Sequence, residues 1–540
     1  MLWIICGFLL DIHCVWDFPA IWEKNYVIYC LTSSNILFLN ADTITVKSLP
    51  LLFIFLFLGK HSLFSQGIFN QSNDVGDVKI TGKTSYNEQS QSYTLVGSGS
   101  NIWFDKDEFH YSWKYLTGDF ILQARGVFID TGGDPHRKFG WMVRTEMTSS
   151  AAMINASVHG DGLSSFQFRR FNGDSIQEVR TPILHPDVIQ LERKGGRWFL
   201  SVARSGDLFW TVEVPDIYFP ETLMAGLFVC SHQSDREEKV LFDNVRIVIP
   251  PNPRFVPYKD YLGSHIETVE IKTGIRSIVY SENASLQAPN WLLNNSGLIY
   301  NKKGYIYKYD FKTSTNAVLS TDTVIKNNND HVISFDGKML GLSSSSGEAK
   351  YGSLIYTVPI EGGKPVRITE TGPSYLHGWS PNGKWLTFTG QRNKVYDIYV
   401  IPSKGGKEKR LTDAEGLDDG SEYSPDGKFI YFNSSRTGKM QLWRMTAKGK
   451  NQTQLTFDAY NNWFPHISPD GKWILFLTYP PDIRADDHPF YKHVYLRIMP
   501  VDGSQPPRVL TYLFGGQGTI NTPSWSPDGT KVAFVSNTGM

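Results

Sequence analysis

The chain has 540 residues, 41% of them hydrophobic and 20% charged. Those values exclude a disordered chain and lead us to expect two to four globular domains. Lys+Arg and Asp+Glu stand at 53 each, and with no basic run and no RNA-binding aromatic motif, nucleic acid is excluded as a partner. Glycine is frequent at 47 residues and aromatics make up 14%, a mixture suited to strands joined by tight turns.

In chain order, residues 1–66 read as a signal or targeting region rather than as fold. Lys47 precedes the apolar run Leu49 to Leu58, and a short polar stretch follows toward Gln66 and Gly67. This is the charged, apolar and cleavage-region order of a secretory signal. The run is shorter than the roughly 20 residues that span a bilayer, so no stable membrane span is expected once the signal, placed around 46–65, is removed. Residues 1–45 lie ahead of it and read as a mis-set start. Three of the four cysteines, Cys6, Cys14 and Cys30, fall in this region. Cys230 stands alone in the body, so no disulfide framework is available there and a core thiol is expected.

Residues 67–250 alternate with period two. Phe120, Leu122 and Ala124 share one face, with Gln123 and Arg125 on the other; Phe166 and Phe168 alternate with Gln167 and Arg169. Gly-Asp and Gly-Gly turns separate the runs, as in Asn172-Gly-Asp174 and Gly195-Gly196. About ten strands of this kind make a β-sandwich or jelly roll. The closing segments Ala225 to Ser231 and Val240 to Arg246 resemble the last strands of concanavalin-like sandwiches. Pro250, Pro251, Pro253 and Pro257 then mark a stiff linker over 251–263.

From 264 to 540 one motif recurs. It reads Ser334-Phe-Asp-Gly-Lys338, Ser380-Pro-Asn-Gly-Lys384, Ser424-Pro-Asp-Gly-Lys428, Ser468-Pro-Asp-Gly-Lys472 and Ser526-Pro-Asp-Gly-Thr530, with a degenerate copy beginning at Trp291. Asp-Gly and Asn-Gly supply the positive φ of a hairpin turn. An alternating strand follows each turn, then a third strand, then a fourth ending in Ile368-Thr369, Leu411-Thr412, Leu455-Thr456 or Leu510-Thr511. Four strands per repeat of this length is a propeller blade. Six copies are present. The segments His265 to Ile271 and Arg276 to Tyr280 supply the strands missing from the last one, so the ring closes without an open edge. The predicted fold is all-β, a sandwich followed by a six-bladed β-propeller.

The repeat Trp-Ser-Pro-Asp-Gly, aliphatic strand, Gly turn and Leu-Thr resembles that of TolB-like propeller proteins. The resemblance implies an exported protein of the periplasm or cell envelope that acts through interaction. TolB proteins carry a small α/β domain before the propeller, where this chain has a run of strands.

Residues just before each Ser-Pro-Asp-Gly turn lie on the innermost strand and are expected at one mouth of the channel. They are Asn329, Asp330, His331, His377, Asp418, Asp419, Glu422, Asn462, His466, Gln517 and Asn521. His331, His377 and His466 with neighbouring carboxylates are ligand types for a divalent ion such as Mn²⁺, Zn²⁺ or Ca²⁺. The layout resembles that of oligogalacturonate lyases, which hold a metal at a propeller mouth. Two readings therefore stand: a binding module for a glycan, peptide or envelope protein, and a metal-dependent polysaccharide lyase or hydrolase. The insertion Asp482 to His488 reads as a solvated loop, with a calcium loop or lid as the alternative. No Gly-x-Ser-x-Gly elbow, phosphate loop or Cys-x-x-Cys pair occurs, so serine-hydrolase, nucleotide and zinc-ribbon chemistry have no footing.

Overall fold

The computed structural model describes residues 67–348 and 351–540 together with three short strands, His13–Val15, Ile28–Thr32 and Asn35–Leu39, which pair as a separate antiparallel sheet. The proposed signal at 46–65 lies outside the described residues. No helix occurs among the described residues, and none is long and apolar enough to cross a membrane.

Phe64–Met540 forms one compact unit. Its first part holds two seven-stranded antiparallel sheets. One runs from Gln177–Arg180 through Ser164–Arg169, Met153–His159, Lys138–Arg144, Thr222–Cys230 and Phe109–Thr117 to Gln71–Val75. The other runs from Trp210–Val214 through Arg197–Ala203, Val188–Lys194, Phe120–Phe128, Gln233–Val248 and Ser92–Gly99 to Lys83–Asn87. The apolar members of the alternation, among them Phe120, Leu122, Trp141, Ile154, Phe166, Leu191, Trp198 and Leu227, form one core between the sheets.

The opposite face of the first sheet is also covered, which the alternation did not foretell. Gln167, Arg169 and Arg144 are fully buried. The Asp107 carboxylate accepts from Arg169 Nη2 at 2.9 Å and Arg169 Nη1 at 3.0 Å, and Arg144 Nη1 stands 3.4 Å away. Period two states which side a residue takes. Whether that side is wet depends on the loops laid over it. Cys230 is buried there as a free thiol, and burial pushes it up to about 11.

Six blades follow. Five have four strands each, their innermost strands being Leu286–Trp291, Asn327–Ile333, Ser374–Trp379, Asp418–Tyr423 and Asn461–Ile467. In the sixth the inner strand is reduced to a bridge from Trp525 to Val532. Beside it Lys531–Thr538 pairs with Gly263–Glu270, which pairs with Arg276–Glu282. Ile266 stands opposite Val535 and Thr268 opposite Ala533, so the ring is closed by strands from its two ends.

The recurring motif has a mechanical explanation. In the second blade Ser334 Oγ donates to Asp336 Oδ1 at 2.6 Å and accepts from the Met339 amide at 3.0 Å. The same pattern recurs at Ser380, Ser424, Ser468 and Ser526. The positive φ falls on the glycine alone, +70° at Gly337, rather than on both turn residues. The Asp contributes its carboxylate as a local acceptor. In three of the four endings the Thr accepts from the third strand: Thr369 from the Ile355 amide, Thr412 from Ile398 and Thr456 from Leu442, each at 2.9 Å.

The stretch 251–263 is not a free spacer. Phe255 and Leu262 pack with Phe490, Tyr491, Phe514 and Ile121. Beside them Glu267 of the closing strand is fully buried between Arg246 and Arg276. Arg276 also donates to Gln123 Oε1 at 3.1 Å and to the Tyr512 carbonyl at 2.8 Å.

Candidate functional site

A cavity of about 420 Å³ opens at one end of the propeller channel. Its walls come from several blades because every inner strand of the five complete blades departs from regular pairing. The register shifts between Gln287 and Asn290, Asn327 and His331, Leu376 and Gly378, Asp419 and Glu422, and Trp463 and His466. A bulge leaves residues unpaired and re-aims their side chains. Gly420 and Phe464 sit in these bulges with φ of +63° and +56°.

Six of the expected residues line this cavity: Asn329, Asp330, His377, Asp419, Gln517 and Asn521. His377 Nε2 stands 3.1 Å from Asp419 Oδ1, which also accepts from Thr389 Oγ1 at 2.6 Å and the Gly420 amide at 2.8 Å. Burial alone would raise the Asp419 carboxyl. The His377 charge and these hydrogen bonds outweigh it and hold the group at about 2. For Asp330, burial pushes the carboxyl up to about 6, against the opposing pull of His377. For His377, burial works downward, but Asp419 and Asp330 prevail and the ring is raised above its ordinary value. Gln517 Nε2 reaches toward Asn329 Oδ1 at 3.5 Å, while Asn329 Nδ2 and Gln517 Oε1 have no protein partner.

The other expected residues lie elsewhere. His331 is buried against the backbone of Ala288 and Ile299, and burial pushes it down to about 4. It stands as far from its serine as His377 does, but the bulge in its blade ends one residue earlier, at Asp330. His331 therefore remains paired opposite Leu342, and Asp330 takes the place at the channel. His466 is buried, with Nδ1 2.7 Å from Glu422 Oε2 and Nε2 donating to the Ile520 carbonyl. Glu422 lines a second cavity of about 290 Å³ at the Ser-Pro-Asp-Gly turns, which is walled by Trp291, Trp379, Trp525 and Tyr423. Asp418 accepts from Arg436 at 2.8 Å. Asn462 is fully buried and bonded to Thr478 and Asp458. The three histidines do not share a site. Among the described residues no three His, Cys, Asp or Glu side chains are placed to hold a metal ion.

Tyr375, just before His377, helps complete the wall; sequence reasoning missed Tyr396 and Thr389 beside it, and Tyr258, Asp486 and His488. The last two belong to the 482–488 loop read as solvated. Its far end instead turns inward, with the His488 ring 4.5 Å from Trp463 and 5.4 Å from Phe464. The aromatic residues Trp463 and Phe464, adjacent in a short interval, are the one signal that could have located a partner for it.

The TolB β-propeller domain description matches residues 377–484. An uncharacterized protein of Agrobacterium fabrum (strain C58), Atu1656, is 42% identical over 273 residues, covering 50% of this chain and 92% of that protein. A solved structure of a provisionally assigned TolB from Agrobacterium tumefaciens is 41% identical. It covers 52% of this chain and 100% of that one, with a TM-score of 0.50. TolB from Acinetobacter baumannii is 20% identical over 47% of this chain and 65% of its own, with a TM-score of 0.38. The chain thus belongs to the TolB-like propeller family that includes Atu1656.

Proposed function

We propose that this protein is an exported binding module of the cell envelope, whose propeller mouth captures a glycan or peptide segment rich in hydrogen-bond donors. In this reading a signal around 46–65 directs export to the periplasm or beyond. A concanavalin-like sandwich over 67–250, a linker over 251–263 and a propeller over 264–540 follow it.

One observation carries the proposal. Asn329, Asp330, His377, Asp419, Gln517 and Asn521, contributed by different blades, surround a single cavity, and the amide groups of Asn329 and Gln517 retain unpartnered atoms beside it. Buried polar atoms without partners are costly unless something bonds to them. Asp419 is ionised and acts as an acceptor, and Asp330 changes from donor to acceptor near pH 6. The tyrosines Tyr375 and Tyr396 supply flat walls with polar ends. This set suits recognition. The scattered histidines give no support to the metal-dependent lyase or hydrolase.

The test is a screen of the purified chain against immobilised glycans and a peptide library, repeated with His377→Ala and Asp330→Asn. The expected result is a retained ligand whose affinity falls at least tenfold in both variants. Binding that persists unchanged in both, or no ligand in either screen, overturns the proposal.

A further inference from the structure

A third cavity, of about 420 Å³, lies away from the mouth, between the sheet that contains Arg197–Ala203 and the fifth blade. Its sheet wall is an ordered row. Gln123 stands opposite Gln190, Gln190 opposite Ser201, and Ser201 opposite Thr211. Four adjacent strands therefore present neutral amide or hydroxyl groups in register on one face. The facing wall is aromatic. Tyr495 and Tyr512 come from the blade, and Phe209 reaches over from the sheet with its ring 4.3 Å from that of Tyr512. Phe199, two positions along the strand from Ser201, contributes a half-buried ring to the cavity.

The row is arranged to leave hydrogen-bonding capacity over. Gln123 donates to Gln190 Oε1 at 3.0 Å and accepts from Arg276, so it is held in place. Gln190 thus spends its carbonyl, and among the described residues no acceptor meets its Nε2. Ser201 and Thr211 share one hydrogen bond of 2.8 Å, which leaves one hydroxyl proton and several lone pairs. Glu192 stands 3.1 Å from His493, and Lys194 and Asp482 carry opposite signs. A molecule with hydroxyls on its rim and C–H groups on its faces matches both walls.

We propose that this cleft is a binding site for a short neutral oligosaccharide, distinct from the propeller mouth. The sugar hydroxyls bond to the Gln190, Ser201 and Thr211 row, and a ring face lies against Phe199 and the Tyr495 edge of the aromatic wall. Because the two walls belong to the sheet and to the blade, occupancy ties the two together.

The experiment is calorimetric titration of the full chain with cellotetraose, xylotetraose, laminaritetraose and chitotetraose, each also run against three variants. Thr211→Trp, at an exposed edge position, fills the cleft; Phe199→Ala removes the stacking ring; His377→Ala alters only the mouth. The expected result is binding of at least one probe, weakened tenfold or more by Thr211→Trp and by Phe199→Ala and unchanged by His377→Ala. Absence of binding by all four probes overturns the proposal. So does binding lost only in His377→Ala, which would place the sugar at the mouth, or binding indifferent to both cleft variants. Melting curves of each variant separate a lost site from a lost fold, and if Thr211→Trp fails to fold, Phe199→Ala alone decides.

Discussion

Replacing Glu267 with Ala should damage the protein more than its single side chain suggests. The carboxylate is fully buried. It accepts from Arg246 Nε at 3.1 Å and Nη2 at 2.6 Å, from Arg276 Nε at 3.0 Å and Nη2 at 2.6 Å, and from Ser536 Oγ at 2.5 Å. Burial works to raise its pKa, but the two guanidinium groups prevail and hold it well below the usual carboxylate range. Removing one partner of a buried ion pair costs about 3–5 kcal/mol, because a charge is left without compensation. Here two arginines lose that partner at once, on the strand that closes the ring, so the upper part of that range is expected. Urea denaturation followed by tryptophan fluorescence measures the loss, and limited proteolysis near 263–282 reports whether the ring has opened. Glu267→Gln, which keeps shape and some hydrogen bonds, should fall between wild type and Glu267→Ala. A loss under about 1 kcal/mol in Glu267→Ala, comparable to an exposed pair, would refute the reasoning.

Two further outcomes follow from the channel. Asp330 has its folded-state pKa raised from 3.8 to about 6, so the folded protein binds this proton more tightly than the unfolded chain does. The associated stability is fully present below about pH 4 and is lost as pH rises through 6, an effect of about 3 kcal/mol. Asp330→Asn should flatten that decline in urea midpoints taken between pH 4 and 8, and an unaltered pH profile would count against it. His466→Ala should cost about 3 kcal/mol by stranding buried Glu422 while leaving ligand affinity of the folded protein intact, whereas His377→Ala both strands Asp419 and weakens binding; weakened binding without destabilisation in His466→Ala would contradict this assignment.

The architecture was legible because turn chemistry is local. Ser, Asp or Asn, and Gly at fixed offsets force a hairpin wherever they occur, so five copies and a weak sixth announced the blades before any contact was known. The site was only half legible, because counting back from each serine assumes unbroken alternation. In the third blade the count led to His377, which lies in a bulge and reaches the channel. In the second it led to His331, where regular pairing has resumed one residue earlier than in the third blade, and Asp330 takes the place at the channel. Bulges arise from the fit between neighbouring strands, and no residue of the motif encodes them. Tyr396 and Thr389 were invisible for another reason: they sit on the third and second strands of their blade, where nothing in the repeat distinguishes a channel-facing residue from any other.

The pairing of Gly263–Glu270 with Lys531–Thr538 has a consequence for biosynthesis. Glu267 and its partner Ser536 are 269 positions apart, so during translation the first half of this clasp emerges long before the second exists. The two-sheet portion can complete its own pairing early. The blades must stack in order with a raw edge at each end, guarded by whatever chaperone attends the nascent chain, until residues 531–538 are released. Joining ends so distant carries a loop-closure entropy that grows only slowly with length. Delay rather than stability is therefore the expected burden of this design, and the half-made ring is the species most exposed to aggregation.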